Sequence, residues 1–345
     1  MPEQFERTDV AIVGAGPVGL FAVFECGMLQ MRCHVVDALS APGGQCAALY
    51  PEKPIYDIPG YPRIDAAELV DRLAEQAAPF DPVYHLGHPV TGLRQAGDGF
   101  EVDTGNGLRL QARAVVIAAG AGAFGPNRPP LVGIEAFEDK SVFYFVRRRE
   151  EFRGRRVVIA GGGDSAVDWA LALAEVAERV MVVHRRPKFR AAPESAARLQ
   201  QLAEAGRIDL VIPYQLHALE GEGGELRAVM IADLDGNTRR LEADRLLPFF
   251  GLATDLGPVA QWGLALDHHH ITVDPATCAT SHPGIFAIGD VATYPGKLKL
   301  ILSGFAEAAQ AAHAMYPLVH PGEALHFEYS LSLIHISEPT RQAEI

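Results

Sequence analysis

Apolar positions along the chain fall into short β-branched runs, each followed by glycines and then by a longer stretch with helical spacing. Thr8 to Val13 (TDVAIV) predicts a strand, GAGPVG a turn, and the apolar stretch to about Leu29 a helix. Cys33 to Asp37 (CHVVD) predicts a second strand, which completes a βαβ unit. From Pro42 to Pro62 runs a Gly- and Pro-rich segment, APGGQCAALYPEKPIYDIPGYP without its first residue, too long and aromatic for a mere connector. A helix over about 65–78 leads into the alternating runs VYHL, VTGLRQA, FEVDT and LRLQA, and then into the buried-type run AVVIAAG.

The pattern then restarts. Arg156 to Ala160 (RVVIA) predicts a strand, GGGDSA opens a helix to about Ala177, and Arg179 to His184 predicts another strand. A second meander follows through LVIP, ELRAVMIA and RRLEADRLLPFF. The final pattern, GIFAIGDVATYPGKLKLILSGFAEAAQAAHAMY, is a strand, a loop and a helix that belong to neither meander and are assigned back to the first unit. The expected fold class is α/β, with two Rossmann-like, three-layer ββα dinucleotide-binding domains, the first discontinuous. The expected boundaries are 1–124 and 250–330 for the first domain and 125–249 for the second, with 331–345 read as a non-native tail.

Composition narrows the class. The 345 residues are 48% hydrophobic and carry a formal net charge of -13, which argues against nucleic-acid or anionic-membrane partners. No apolar run reaches membrane-spanning length and no signal-peptide pattern precedes the first strand, so a soluble cytoplasmic location is expected. Cys26, Cys33, Cys46 and Cys278 form no CxxC and no zinc-type spacing, and the HHH run at 268–270 reads as exposed loop; no metal is expected.

Gly14, Gly16, Pro17 and Gly19 belong to a G-x-G-x-x-G turn between strand and helix. Its glycines permit a tight turn, close approach of a pyrophosphate, and close helix packing. Asp37, 23 residues after Gly14, is placed to accept hydrogen bonds from an adenosine ribose. The second turn carries Gly161, Gly163, Asp164, Ser165 and Ala166 as a G-x-G-x-x-A variant. The same offset from Gly161 reaches His184, followed by Arg185 and Arg186, with Arg190 a further cation nearby. Guanidinium groups pair with a ribose 2′-phosphate that a carboxylate would repel. One free 2′-hydroxyl site and one 2′-phosphate site suggest FAD as bound cofactor and NADPH as mobile donor. Asp290, in GIFAIGD, is a candidate for the flavin's ribityl chain.

At this point GAGPVGLFAVFECGM, GGQCAALYPEKPIYDIPGYP, AGGGDSAVDWAL, VVHRRPKFRAAPES and PGIFAIGDVATYPGKLKLI resemble the thioredoxin-reductase-like ferredoxin–NADP reductases over about residues 7–330. The resemblance implies a homodimer of two-domain subunits with FAD and NADPH. It implies hydride transfer from NADPH to flavin N5 and then single electrons to ferredoxin or flavodoxin. It also implies FAD contacts at Asp37, Gln45, Tyr50 (stacked on the ring), Val90, Phe124 and Asp290, with Tyr329 on the ring's second face. Thioredoxin reductases of this architecture carry a redox CxxC near the second fingerprint, whereas this chain has no cysteine between Cys46 and Cys278. Electrons are therefore expected to leave directly from the flavin, and no catalytic side chain is nominated.

The segment FVRRREEFRGRR, with Arg147, Arg148, Arg149, Arg153, Arg155 and Arg156, is a candidate docking patch for an acidic carrier, joined by Lys297 and Lys299; the competing reading is a charged linker. After HFEYS the chain departs from the family pattern: Leu331 stands where a hydroxyl is expected, and LIHISEPTR resembles translated adapter sequence. Two other activities stay open, an NADPH diaphorase acting on a quinone or free flavin, and a nucleotide-binding redox sensor.

Overall fold

A computed structural model describes residues 5–325. Its largest sheet runs in the order Val83–Leu86, Cys33–Asp37, Glu6–Val13, Arg109–Ile117, Gly99–Thr104, Val90–Ala96. Arg109–Ile117 is shared between two layers: its first half pairs antiparallel with Gly99–Thr104, and its last residues pair parallel with Ile285–Ala287. The returning strand at 285–287 thus lies beside the first fingerprint's sheet. The C-terminal halves of Glu6–Val13 and Arg109–Ile117, VAIV and AVVI, are buried on both faces, as their apolar runs require.

A second parallel sheet follows the order Asp209–Val211, Arg179–Val183, Arg156–Ala160, Arg245–Pro248. Its meander comprises Gln215–Glu222, Glu225–Ala232 and Thr238–Glu242. The two connections between the sheets pair with each other, Ala123–Pro126 antiparallel to Leu252–Asp255.

The helix Pro17–Met28 opens with proline in its first turn, where the missing N–H costs no helical bond, and packs on Ile301–Val319. Ala66–Ala77 buries Ala66, Leu69, Val70, Leu73 and Ala77, one face at helical spacing. No helix among the described residues is long and apolar enough to cross a membrane.

Three local expectations are corrected. The helix after the second fingerprint spans Asp164–Leu173 and does not reach Ala177; the Ala174 carbonyl is taken by Arg207 Nη2 at 3.1 Å. The Gly- and Pro-rich segment holds a short helix, Gly44–Ala48, and a strand pair, Pro54–Ile55 with Ile64–Asp65. A helix at Pro193–Glu204, absent from the pattern reading, follows the basic cluster. The tail at 331–345 lies outside the described residues.

Candidate functional site

A cavity of about 500 Å³ lies at the carboxyl ends of Glu6–Val13, Cys33–Asp37 and Arg109–Ile117, where open α/β sheets bind nucleotides. Gly14, Gly16, Pro17, Asp37, Gln45, Tyr50, Val90 and Asp290 all line it. Gly19 does not. It is buried behind the turn, where a Cβ would stand 1.9 Å from the Gly14 carbonyl oxygen. Gly14 has φ +113°, and a Cβ there would meet the Ala118 carbonyl oxygen at 2.4 Å. Gly16 by contrast has open space around its Cβ position, at the N-cap of Pro17–Met28. The three glycines thus separate into a turn, an open approach to free helix N–H groups, and a packing contact.

Asp37 is fixed before any ligand arrives: the Ala15 N–H donates to Oδ2 at 2.7 Å and the Leu39 N–H to Oδ1 at 2.8 Å. Each carboxylate oxygen keeps acceptor capacity for a ribose hydroxyl. The fit to a dinucleotide therefore rests on an anion-binding turn, an oriented acid and a largely apolar cavity. Of Phe124 only the backbone, in Ala123–Pro126, is described, and the side chain lies outside the description; Tyr329 lies beyond residue 325.

Two groups, one lining this cavity and one behind its Gly289–Asp290 turn, carried no functional reading in the sequence. Cys46 lines it, and burial pushes its thiol up to about 11, so it stays protonated near neutrality. Glu307, 1% exposed, accepts from the Gly289 N–H and the Tyr294 hydroxyl, each at 2.7 Å, and pairs with buried Lys297. It holds the Gly289–Asp290 turn from behind. A lone acid on this helix gives no sequence signal that it turns inward.

The second turn has a different interior. Gly161 has φ +151°, Gly163 is open, and Asp164 Oδ1 accepts from the Ala192 N–H at 2.9 Å; Asp164 and Ser165 are exposed. His184 is not a free cation beside the arginines. Its ring lies against Gly162, where a Cβ would come within 2.2 Å, and stacks on Phe189 at 5.2 Å. Burial, followed by Arg185, Arg186 and Arg190, pulls its pKa down. Arg185, Arg186 and Arg190 are exposed and, among the described residues, join no ion pair. The Arg190 N–H donates to the Gly162 carbonyl at 2.6 Å, which folds the cluster back over the turn.

The candidate docking patch is partly ion-paired, with Arg147 and Arg155 exposed and in no ion pair among the described residues. Arg148 pairs with Glu151, Arg149 with Glu52, Arg153 with Glu150, and Arg156 with Asp244 and Glu242. Lys297 is consumed in the core by Glu307, and Lys299 Nζ lies 2.6 Å from His270 Nε2. Four of the segment's six arginines thus have carboxylate partners. Of the 268–270 run, read as exposed loop, His268 and His269 form the exposed turn between Leu266–Asp267 and His270–Thr272, whereas His270 pairs in the strand and is half-buried.

Residues 8–315 match the family model described as pyridine nucleotide-disulphide oxidoreductase. The chain is 68% identical over 325 residues to a ferredoxin–NADP reductase of Paramagnetospirillum magneticum, covering 94% of this chain and 96% of that one. It is 66% identical over 328 residues to a ferredoxin–NADP reductase of Rhodospirillum rubrum, with coverages of 94% and 95%. Among solved structures it resembles Lactococcus lactis thioredoxin reductase (TM-score 0.78, 26% identity, covering 91% of this chain and 99% of that one). With T. acidophilum thioredoxin reductase the TM-score is 0.79 at 25% identity, covering 90% and 98%. The three-layer fold, the paired glycine turns and these relatives together mean that the chain belongs to the pyridine nucleotide-disulphide oxidoreductase family, within its ferredoxin–NADP reductase group.

Proposed function

We propose that the protein is an FAD-dependent reductase that moves electrons between NADPH and ferredoxin. One observation carries the reading: two glycine turns of the same design are followed by opposite charges, Asp37 lying 23 residues after Gly14, and Arg185 and Arg186 lying 24 and 25 residues after Gly161, just past the packed His184 ring. Behind the first stands Asp37, locked by two backbone N–H groups; behind the second stand Arg185 and Arg186, free of carboxylates among the described residues. Sequence identities of 66–68% to proteins named ferredoxin–NADP reductase support it.

The bound flavin would supply the interchange between the two-electron chemistry of NADPH and the one-electron chemistry of ferredoxin. The chain's own residues bind and orient. Gly14, Gly16 and the N–H groups at the start of Pro17–Met28 would hold the FAD pyrophosphate, and Asp37 the adenosine ribose. Gln45, Tyr50, Val90 and Asp290 would line the rest of the FAD, with Glu307 fixing the turn that carries Asp290. Gly161, Gly163 and Ser165 would take the NADPH pyrophosphate, Asp164 the loop that follows the basic cluster, and Arg185, Arg186 and Arg190 the 2′-phosphate. Phe124 and Tyr329 are retained as FAD contacts on the family resemblance. Flavodoxin as a second carrier, a homodimer as the working assembly and a cytoplasmic location complete the proposal, together with the two-domain division at 124/125 and 249/250.

Anaerobic stopped flow tests it. NADPH should bleach the flavin absorbance, and ferredoxin should restore it rapidly. Rapid reoxidation by quinone alone, with ferredoxin inert, would overturn the carrier assignment.

A further inference from the structure

Away from both nucleotide sites, three adjacent strands bring their ligating atoms to one point. His34 lies in Cys33–Asp37 and His85 in Val83–Leu86; the register His34↔Val83 and Val36↔His85 sets the two histidines on the same face as diagonal neighbours. His34 Nδ1 and His85 Nε2 are 3.0 Å apart, and Glu6 Oε2, from Glu6–Val13, lies 3.6 Å from the first and 3.5 Å from the second. The histidine side chains are 13% and 11% exposed and the glutamate 47%, so the cluster is walled by protein on one side and open to water on the other.

We propose that Glu6, His34 and His85 form a binding site for a divalent transition ion of the zinc class. A triangle with these sides has a circumscribed radius of about 2 Å, which is the Zn–N and Zn–O bond length. One ion slightly off the plane of the three atoms would contact all of them, leaving the solvent side for a water as fourth ligand. The charges point the same way. Two neutral imidazoles this close share one proton at most between the facing nitrogens, and the carboxylate adds a negative oxygen to the remaining lone pair. A cation satisfies all three atoms at once, where a single hydrogen bond satisfies two. Two imidazoles with a carboxylate suit Zn²⁺ in preference to Mg²⁺ or Ca²⁺, which favour all-oxygen shells. Next to the cluster, the His88 ring stands edge-on to His85 at 6.2 Å, and its Nδ1 is buried without a hydrogen-bond partner, leaving another nitrogen unused nearby.

The ligands are invisible to spacing rules because His34 and His85 are 51 residues apart and meet only through strand pairing. Bound metal would pin three strands of the large sheet together, so its function is structural, and its stabilisation follows the ion's concentration over its dissociation constant.

The test uses the full-length, flavin-loaded protein stripped of metal by a chelator. Zn²⁺ is titrated in competition with a chromophoric chelator, and thermal unfolding is followed with and without Zn²⁺. The expected result is one Zn²⁺ per chain, a raised unfolding temperature with Zn²⁺, and an affinity loss of at least about tenfold in His34→Gln and in His85→Gln. Flavin content should stay unchanged in both variants, and His269→Gln, in the exposed run, should bind like wild type. Equal Zn²⁺ binding by wild type and both cluster variants, or no stoichiometric binding by wild type, would identify the cluster as a hydrogen-bonded imidazole pair and overturn the proposal. If either variant fails to fold, X-ray absorption of the Zn²⁺-loaded wild type decides. A four-coordinate N/O shell with two imidazoles supports the site, and a shell without imidazole overturns it.

Discussion

Lys53 Nζ lies 3.1 Å from Asp168 Oδ2, joining the Gly- and Pro-rich segment of the first half to the helix behind the second glycine turn. Both side chains are at most one-fifth exposed, and next to them Glu52 Oε2 accepts the Arg149 N–H at 2.7 Å. Burial pushes the Asp168 carboxyl above the usual range, and Lys53 opposes that shift. Tyr50 shares this clasp, lining the cavity while packing against the core of the second half.

Removing one partner strands a shielded charge. Asp168→Leu and Lys53→Met should each cost about 1–3 kcal/mol alone and alter flavin fluorescence through Tyr50, whereas the Lys53→Met/Asp168→Leu pair should recover most of the loss. Thermal unfolding of the four proteins in a double-mutant cycle checks this; additive single effects would mean that the pair is not coupled.

Selection of NADPH should depend on the free guanidinium groups. Arg185→Ala and Arg186→Ala should each weaken NADPH about tenfold or more with NADH little changed, because a charge-assisted hydrogen bond is worth about 1.5–3 kcal/mol. Gly162→Ala should act on the same site indirectly, by driving its Cβ into the His184 ring and displacing the arginines that follow. Adding His184→Ala to that variant should restore NADPH affinity in part. Binding titrations with both nucleotides read all four variants.

The two flavin-side glycines should fail differently. Gly14→Ala meets the Ala118 carbonyl and an unfavourable φ, so it should lower stability by about 1–3 kcal/mol or more. Gly16→Ala meets no protein atom, so the flavin-free protein should keep its stability within about 0.5 kcal/mol while losing FAD. Unfolding of the flavin-free proteins, beside flavin content after gel filtration, separates the two.

Acid should release one specific ion pair. Asp244 accepts from the Arg156 backbone N–H and from its Nε and Nη2, at 2.8, 3.2 and 2.7 Å, and Arg156 holds the carboxyl below its usual range. A depressed folded pKa stabilises the fold above the unfolded value of about 4 and loses that contribution as pH falls through the folded one. Asp244→Asn should therefore be about 1–3 kcal/mol less stable near pH 7, the gap closing below about pH 4. Denaturant midpoints across that range show whether it closes.

Local chemistry alone placed the paired glycine turns, the strands on either side of them and the change of charge sign from Asp37 to Arg185 and Arg186. Those features depend on backbone freedom and on short offsets along the chain, which a sequence carries explicitly. The sharing of Arg109–Ile117 between two layers, the inward turn of Glu307 and the packing of His184 on Gly162 depend on contacts between distant segments. So does the pairing of Arg149 with Glu52 and of Arg156 with Asp244, far along the chain. The meeting of Glu6, His34 and His85 belongs with these: residue type made each a potential ligand, and only strand order and register brought their atoms to one point.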